Sequence, residues 1–207
     1  MKLKVCGMKY QDNIEQVAAL QPDYLGFIFY NQSARNFDLE YIPKISKSIK
    51  KVGVFVDASL DLIQAKIEKH HLNSVQLHGE ESPEFCDALK NEKIEIIKVF
   101  SIKDEFNFEL LKPYENIVDY FLFDTKGKLP GGNGYTFNWD VLKDYPSTKP
   151  FFLSGGIGFD EVEKIKAFKS SKASKYCYAM DVNSKFEIEP GLKNIELLTE
   201  FKNKLIE

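Results

Sequence analysis

Phe151-Phe152-Leu153-Ser154-Gly155-Gly156-Ile157 is a short apolar run that stops at a serine and two glycines before a helical stretch, Asp160 to Lys169. A continuous apolar run suits a strand buried on both faces, and the glycines let the chain turn sharply at its end. The same order recurs along the chain. Strands are expected at Leu3 to Cys6, Tyr24 to Phe29, Val52 to Val56, Ser74 to His78, Ile94 to Phe100, Tyr120 to Asp124, Pro150 to Ser154 and Tyr176 to Asp181. Helical stretches follow them at Asn13 to Leu20, Leu39 to Ile49, Leu60 to Lys69, Pro83 to Lys90, Phe106 to Lys112, Asn138 to Lys143, Asp160 to Lys169 and Lys193 to Leu205. Repeated βα units in 207 residues, with no dinucleotide fingerprint after the first strand, favour a closed (β/α)8 TIM barrel of the α/β class over an open doubly wound sheet. No stretch reads as an interdomain linker, so residues 1–207 are expected to form one domain.

Composition narrows the function. With 43% hydrophobic and 29% charged residues the chain is of ordinary globular type. A formal net charge of -3 and the lack of a long basic stripe argue against nucleic acid as a partner. The absence of a run of about twenty apolar residues argues against a membrane span. Cys6, Cys86 and Cys177 are too scattered for a disulfide framework or a zinc cluster, and the three histidines, His70, His71 and His78, lack metal-ligand spacing. Met1 to Lys9 reaches Cys6 and Gly7 before any signal-like apolar region forms, so a cytoplasmic chain without a leader is expected. Monomer and homodimer both remain open.

Closing a barrel would bring all eight strand ends to one face, where scattered residues converge. Cys6 ends the first strand before Gly7, and its thiol is either a small buried hydrophobe or a nucleophile or base at the barrel mouth. Asp124 ends Tyr120 to Phe123, as a loop-orienting cap or as a functional carboxylate. Arg35, in the second loop, is either a solvated side chain or a planar fork for a substrate carboxylate. Gly155 and Gly156 form either a tight turn or a phosphate cradle, and Asp181 to Ser184 in the eighth loop would complete such a cradle. His78 is a polar strand end or a contact to substrate, whereas His70 and His71 read as a polar helix C-terminus.

Taken in order, Lys4-Val5-Cys6-Gly7-Met8, Gly26-Phe27 leading to Ser33-Ala34-Arg35, Val52-Gly53-Val54-Phe55, Val75-Gln76-Leu77-His78-Gly79, Phe123-Asp124 leading to Gly131-Gly132-Asn133-Gly134, Ser154-Gly155-Gly156, Asp181-Val182-Asn183-Ser184 to Glu187, and Pro190-Gly191-Leu192-Lys193 span nearly the whole sequence. In this the chain closely resembles the phosphoribosylanthranilate isomerases, (β/α)8 barrels that perform an Amadori rearrangement in tryptophan biosynthesis. The resemblance implies that Cys6 is the general base and Asp124 the general acid, that Arg35 anchors the anthranilate carboxylate, and that Gly155, Gly156, Asp181 and Ser184 lie at the phosphate site. It implies a phosphorylated small-molecule substrate and no metal or redox cofactor. Ala34 stands where a proline is common before the arginine, Asn133 where a threonine is common, and Lys185 where a small residue is frequent. The alternatives are another phosphosugar barrel, such as indole-glycerol-phosphate synthase or a sugar-phosphate epimerase, and a phosphometabolite-binding protein without turnover. Cys6 together with Asp124 weighs against each.

Overall fold

A computed structural model describes residues 1–91, 93–103, 105–125 and 136–206. Eight parallel strands, β1 (Lys2–Val5), β2 (Tyr24–Ile28), β3 (Lys50–Phe55), β4 (Ser74–Leu77), β5 (Glu95–Ile102), β6 (Tyr120–Thr125), β7 (Phe151–Leu153) and β8 (Cys177–Val182), pair in sequence order and close into a barrel. Closure sets Lys4 of β1 beside Asp181 of β8. The expected barrel is thus the observed one, with every strand within a few residues of its expected place.

The period of two along each strand divides the apolar side chains between two cores. Val52, Ile97, Leu122, Phe152 and Ala179 fill the barrel interior. Tyr24 closes its lower end, its ring edge-on to Phe152 at 5.3 Å and its hydroxyl 3.2 Å from that of Tyr178. The opposite set packs beneath the helices α1 (Gln11–Ala19), α2 (Leu60–His70), α3 (Pro83–Ala88), α4 (Val162–Lys169) and α5 (Ile195–Ile206), through side chains such as Ile14, Ile63, Cys86, Ile165 and Phe201. Start signals act as their chemistry requires: Ser59 and Ser82 accept hydrogen bonds from Leu62 N and Phe85 N, with Pro83 in the first turn of α3.

The helical layer is thinner than the sequence suggests. Leu39 to Ile49 is not a helix, because Pro43 removes a backbone donor and disfavours the helical conformation at Ile42. Leu39, Ile42 and Ile45 nevertheless pack against the outer core from irregular chain. After β5 and β6 the connections are 3-10 turns, Phe108–Tyr114 and Trp139–Asp144, the first interrupted by Pro113. The last helix begins at Ile195 because Leu192–Lys193 (β10) pairs antiparallel with Glu187–Glu189 (β9). His70 also departs from its expected setting at a polar helix end: its ring is buried and stacks on Phe29 at 5.1 Å, neither nitrogen has a partner, and burial pushes its pKa down to about 4. The glycine-rich stretch Gly127 to Gly134, which includes Gly131, Gly132 and Asn133, lies outside the described residues.

Candidate active site

A pocket at the C-terminal mouth of the barrel is lined by Cys6, Arg35, Gln76, His78, Asp124, Ser154, Gly155, Gly156, Asp181, Asn183 and Ser184, among others. All eight expected site residues therefore meet in one cavity, although they come from six different strand ends or loops. Barrel closure is the cause.

Cys6 follows β1, and its N–H donates to Val182 O at 2.9 Å, which ties it to the end of β8. Gly7 has φ 75°, and a β carbon there would lie 2.6 Å from Asn183 Oδ1 and 2.9 Å from Arg35 Cδ. Glycine is needed at this point on both counts. Burial pushes the Cys6 thiol up, against the opposing pull of the Lys4 ammonium, and Asp181 adds to the rise. The side chains around Cys6 thus raise its pKa on balance rather than lower it. Lys4 is fully buried in the barrel, with Nζ donating to Asp181 Oδ2 at 2.7 Å. Burial alone would depress its pKa, but Asp181 and Cys6 outweigh that and raise it.

Asp124, on β6, is 6% exposed; its Oδ1 accepts from Thr125 N at 3.0 Å and its Oδ2 lies 3.4 Å from His78 Nε2. His78 N–H donates to Phe55 O at 2.8 Å, which fixes its strand-end position facing the carboxylate. Two buried acceptors in the lining, Gln76 Oε1 and Asp181 Oδ1, have no partner. A polar ligand would satisfy them, since unpaired buried acceptors are costly.

Arg35 is placed by two local turns: Ser33 Oγ accepts from its N–H at 3.1 Å, and Phe37 N–H returns to Ile28 O at 2.7 Å. Phe37 then packs edge-on against Phe27 at 5.1 Å, which fastens the loop to the barrel wall. The guanidinium is held by Glu187, with Nη2 to Oε2 at 2.7 Å.

Gly155 and Gly156 have φ of 90° and 68°, so the chain leaves β7 through two successive left-handed residues. A β carbon on Gly155 would lie 2.2 Å from Thr125 Oγ1. The Gly158 N–H is already taken by Glu161 Oε2 at 2.7 Å, which leaves the glycine pair before it and Ser184 across the eighth loop to face an anion. Lys185, the departure in that loop, is exposed. Among the described residues no group of three His, Cys, Asp or Glu side chains could hold a metal ion.

Asn183 falls within the expected eighth-loop cradle, whereas Lys4, Glu187 and Lys193 stood in the quoted motifs without an expected role. A lysine inside an apolar strand, in phase with Cys6, was a readable sign that Lys4 points into the barrel. Glu187 and Lys193 carried no such sign: they pair with each other, but what ties them to the pocket is Arg35, 152 residues from Glu187 along the chain.

The sequence pattern of the N-(5'-phosphoribosyl)anthranilate (PRA) isomerase family matches residues 3–204. A protein named N-(5'-phosphoribosyl)anthranilate isomerase in Parabacteroides distasonis is 42% identical over 213 residues, covering 100% of this chain and 94% of its own. One of the same name in Phocaeicola vulgatus is 40% identical, covering 99% and 98%. The crystal structure of phosphoribosyl anthranilate isomerase from Thermus thermophilus superposes with TM-score 0.84 at 25% identity, covering 100% of this chain and 98% of that one. A phosphoribosyl anthranilate isomerase in complex with reduced 1-(o-carboxyphenylamino)-1-deoxyribulose 5-phosphate superposes with TM-score 0.78 at 25% identity, again over 100% and 98%. Fold, pocket and sequence agree, and the chain belongs to the N-(5'-phosphoribosyl)anthranilate isomerase family.

Proposed function

We propose that this chain converts N-(5'-phosphoribosyl)anthranilate to 1-(2-carboxyphenylamino)-1-deoxyribulose 5-phosphate, the isomerase step of tryptophan biosynthesis, with Cys6 as general base and Asp124 as general acid. The observation that carries this reading is one pocket holding a thiol and a carboxylate between a cationic anchor, Arg35, and a glycine-lined turn at Gly155 and Gly156. Such a pocket suits a substrate with an anionic group at each end and a reacting sugar between them.

In this reading Asp124 gives its proton to the ribose ring oxygen, the C1–O bond breaks, and the anthranilate nitrogen supplies the electron pair that forms an iminium. Cys6 then removes the proton from the neighbouring sugar carbon, and the resulting enolamine becomes the aminoketone. The hydrogen lost from one carbon is replaced by one gained at the next, so the redox change is internal and the chemistry calls for no cofactor. The order of steps also answers the raised Cys6 pKa. A cationic iminium beside the thiol favours the thiolate, as Lys4 already does, so the base becomes competent once the ring has opened. His78, 3.4 Å from Asp124, steadies the acid and borders the bound sugar, while the free acceptors of Gln76 and Asp181 take sugar hydroxyls. Arg35 takes the anthranilate carboxylate; Gly155, Gly156 and Ser184 take the phosphate.

The chain acts as a single domain, as a monomer or homodimer in the cytoplasm. A dimeric relative is described from Thermotoga maritima, and no helix among the described residues is long and apolar enough to cross a membrane. Producing this chain in a bacterium that lacks its own isomerase tests the reading. Growth without tryptophan is expected, and failure to grow despite folded protein would refute it.

A further inference from the structure

Arg35 is itself gripped. Glu187, the first residue of β9, has a side chain 4% exposed, and its two oxygens accept from Arg35 Nε at 2.9 and 3.0 Å and from Nη2 at 2.7 Å. Glu187 Oε1 also accepts from Lys193 Nζ at 2.7 Å and from Gly191 N–H at 3.1 Å. Lys193 is in turn fixed to α1, since its N–H donates to Asn13 Oδ1 at 2.7 Å and its carbonyl accepts from Asn13 Nδ2 at 2.9 Å. The glutamate is therefore held by four donor atoms from three residues. Burial would raise its carboxyl pKa, but Arg35 and Lys193 outweigh it and keep the group ionised.

A guanidinium has two parallel donor forks that share one nitrogen: a side fork of Nε and Nη2, and an end fork of Nη1 and Nη2. Glu187 occupies the side fork of Arg35 through both nitrogens. Only the end fork remains for a second carboxylate, in a plane that Glu187 has fixed. We propose that Glu187 is a positioning residue for substrate recognition, which orients Arg35 so that its end fork meets the aryl carboxylate. This rests on the reading above that Arg35 takes that carboxylate. The opposite expectation is also physical: if Glu187 only competed with the substrate for Arg35, removing its charge would tighten binding.

The test compares two ligands: a reduced, unreactive form of the carboxyphenylamino product, and its phenylamino counterpart without the ring carboxylate. Dissociation constants are measured for the wild type, Glu187→Gln, Arg35→Ala and the double variant, each checked for folding. Glu187→Gln keeps the side chain's size but removes one paired acceptor and the charge. It is expected to weaken the carboxylated ligand about tenfold, as loss of a charge-assisted pairing does, and to leave the other ligand nearly unchanged. In the Arg35→Ala background the same change should have no further selective effect. Equal weakening of both ligands, or tighter binding of the carboxylated one, would overturn the proposal. Arg35→Lys gives a second measure that leaves Glu187 intact. An ammonium held by Glu187 has no second fork, so the preference for the carboxylated ligand should disappear, and its survival would count against the two-fork arrangement. A wild type that binds both ligands equally would remove the carboxylate anchor itself; a wild-type preference that Glu187→Gln leaves intact removes only the role of Glu187.

Discussion

Gly26 of β2 is the position where a single methyl group tests the placement of the thiol. A β carbon there would lie 2.7 Å from Cys6 Sγ, 3.1 Å from Cys6 Cα and 3.2 Å from Cys6 Cβ. Nonbonded heavy atoms settle at roughly 3.5 to 4.0 Å, so Gly26→Ala requires the thiol to move by about 1 Å. Cys6 is buried and tied to Val182 through its backbone, so the shift cannot be absorbed into solvent. A misplacement of about 1 Å at a reacting group costs on the order of 100-fold in rate. Overpacking of this kind destabilises by about 1 to 3 kcal/mol. We therefore expect Gly26→Ala to fold with a lowered Tm, to bind the reduced product nearly as well as wild type because both anionic anchors are untouched, and to lose kcat about 100-fold. Single-turnover rates at saturating substrate, with melting curves and product titration on the same protein, separate the three effects. A folded Gly26→Ala enzyme with wild-type kcat would show that the position of Sγ does not matter, and Cys6 could not be the base.

The other predictions bear on the same chemistry and on acid stability. Cys6→Ala should fold, bind product and lose turnover by roughly 100-fold to 10,000-fold; Cys86→Ala and Cys177→Ala, whose thiols burial pushes up to about 11 and about 12, should keep near-wild-type turnover, and steady-state kinetics on all three would expose a misassigned cysteine. Asp124→Asn should bind product but block ring opening, whereas Cys6→Ala should let the ring open and stall later; trapping the open-chain intermediate equally in both would contradict this division. His70, lowered from 6.5 to about 4, favours the unfolded state as pH falls through that window, because the unfolded histidine takes up its proton first. The loss should reach at most ~3 kcal/mol below pH 4 and be relieved in His70→Phe, a difference that denaturant titrations at neutral and acid pH would detect or exclude.

The barrel was legible because strands buried on both faces leave apolar runs, and most of the eight expected strands are continuous runs of this kind. Cys6, Asp124 and the glycine pair were legible as chemically loaded stops at strand ends, where this fold gathers its side chains. What could not be read depended on contacts made only after closure. Lys4 meets Asp181 across 177 residues of chain, and Arg35 meets Glu187 across 152. The absent helix at Leu39 to Ile49 shows the opposite error: a helix was expected between the second and third strands, but Pro43 decides the backbone and Leu39, Ile42 and Ile45 reach the core without one. His70 looked like an ordinary residue at a helix C-terminus, and only the approach of Phe29 and Phe37 from the Arg35 loop makes it buried.

Incubation of the purified protein with phosphoribosylanthranilate, with the unreduced product distinguished from its isomeric substrate by the ketone carbon in its NMR spectrum, tests the central claim most directly. The account predicts 1-(2-carboxyphenylamino)-1-deoxyribulose 5-phosphate from the wild type and almost none from Cys6→Ala or Asp124→Asn. Recovery of unchanged substrate, or only of anthranilate and ribose 5-phosphate from hydrolysis, would contradict it.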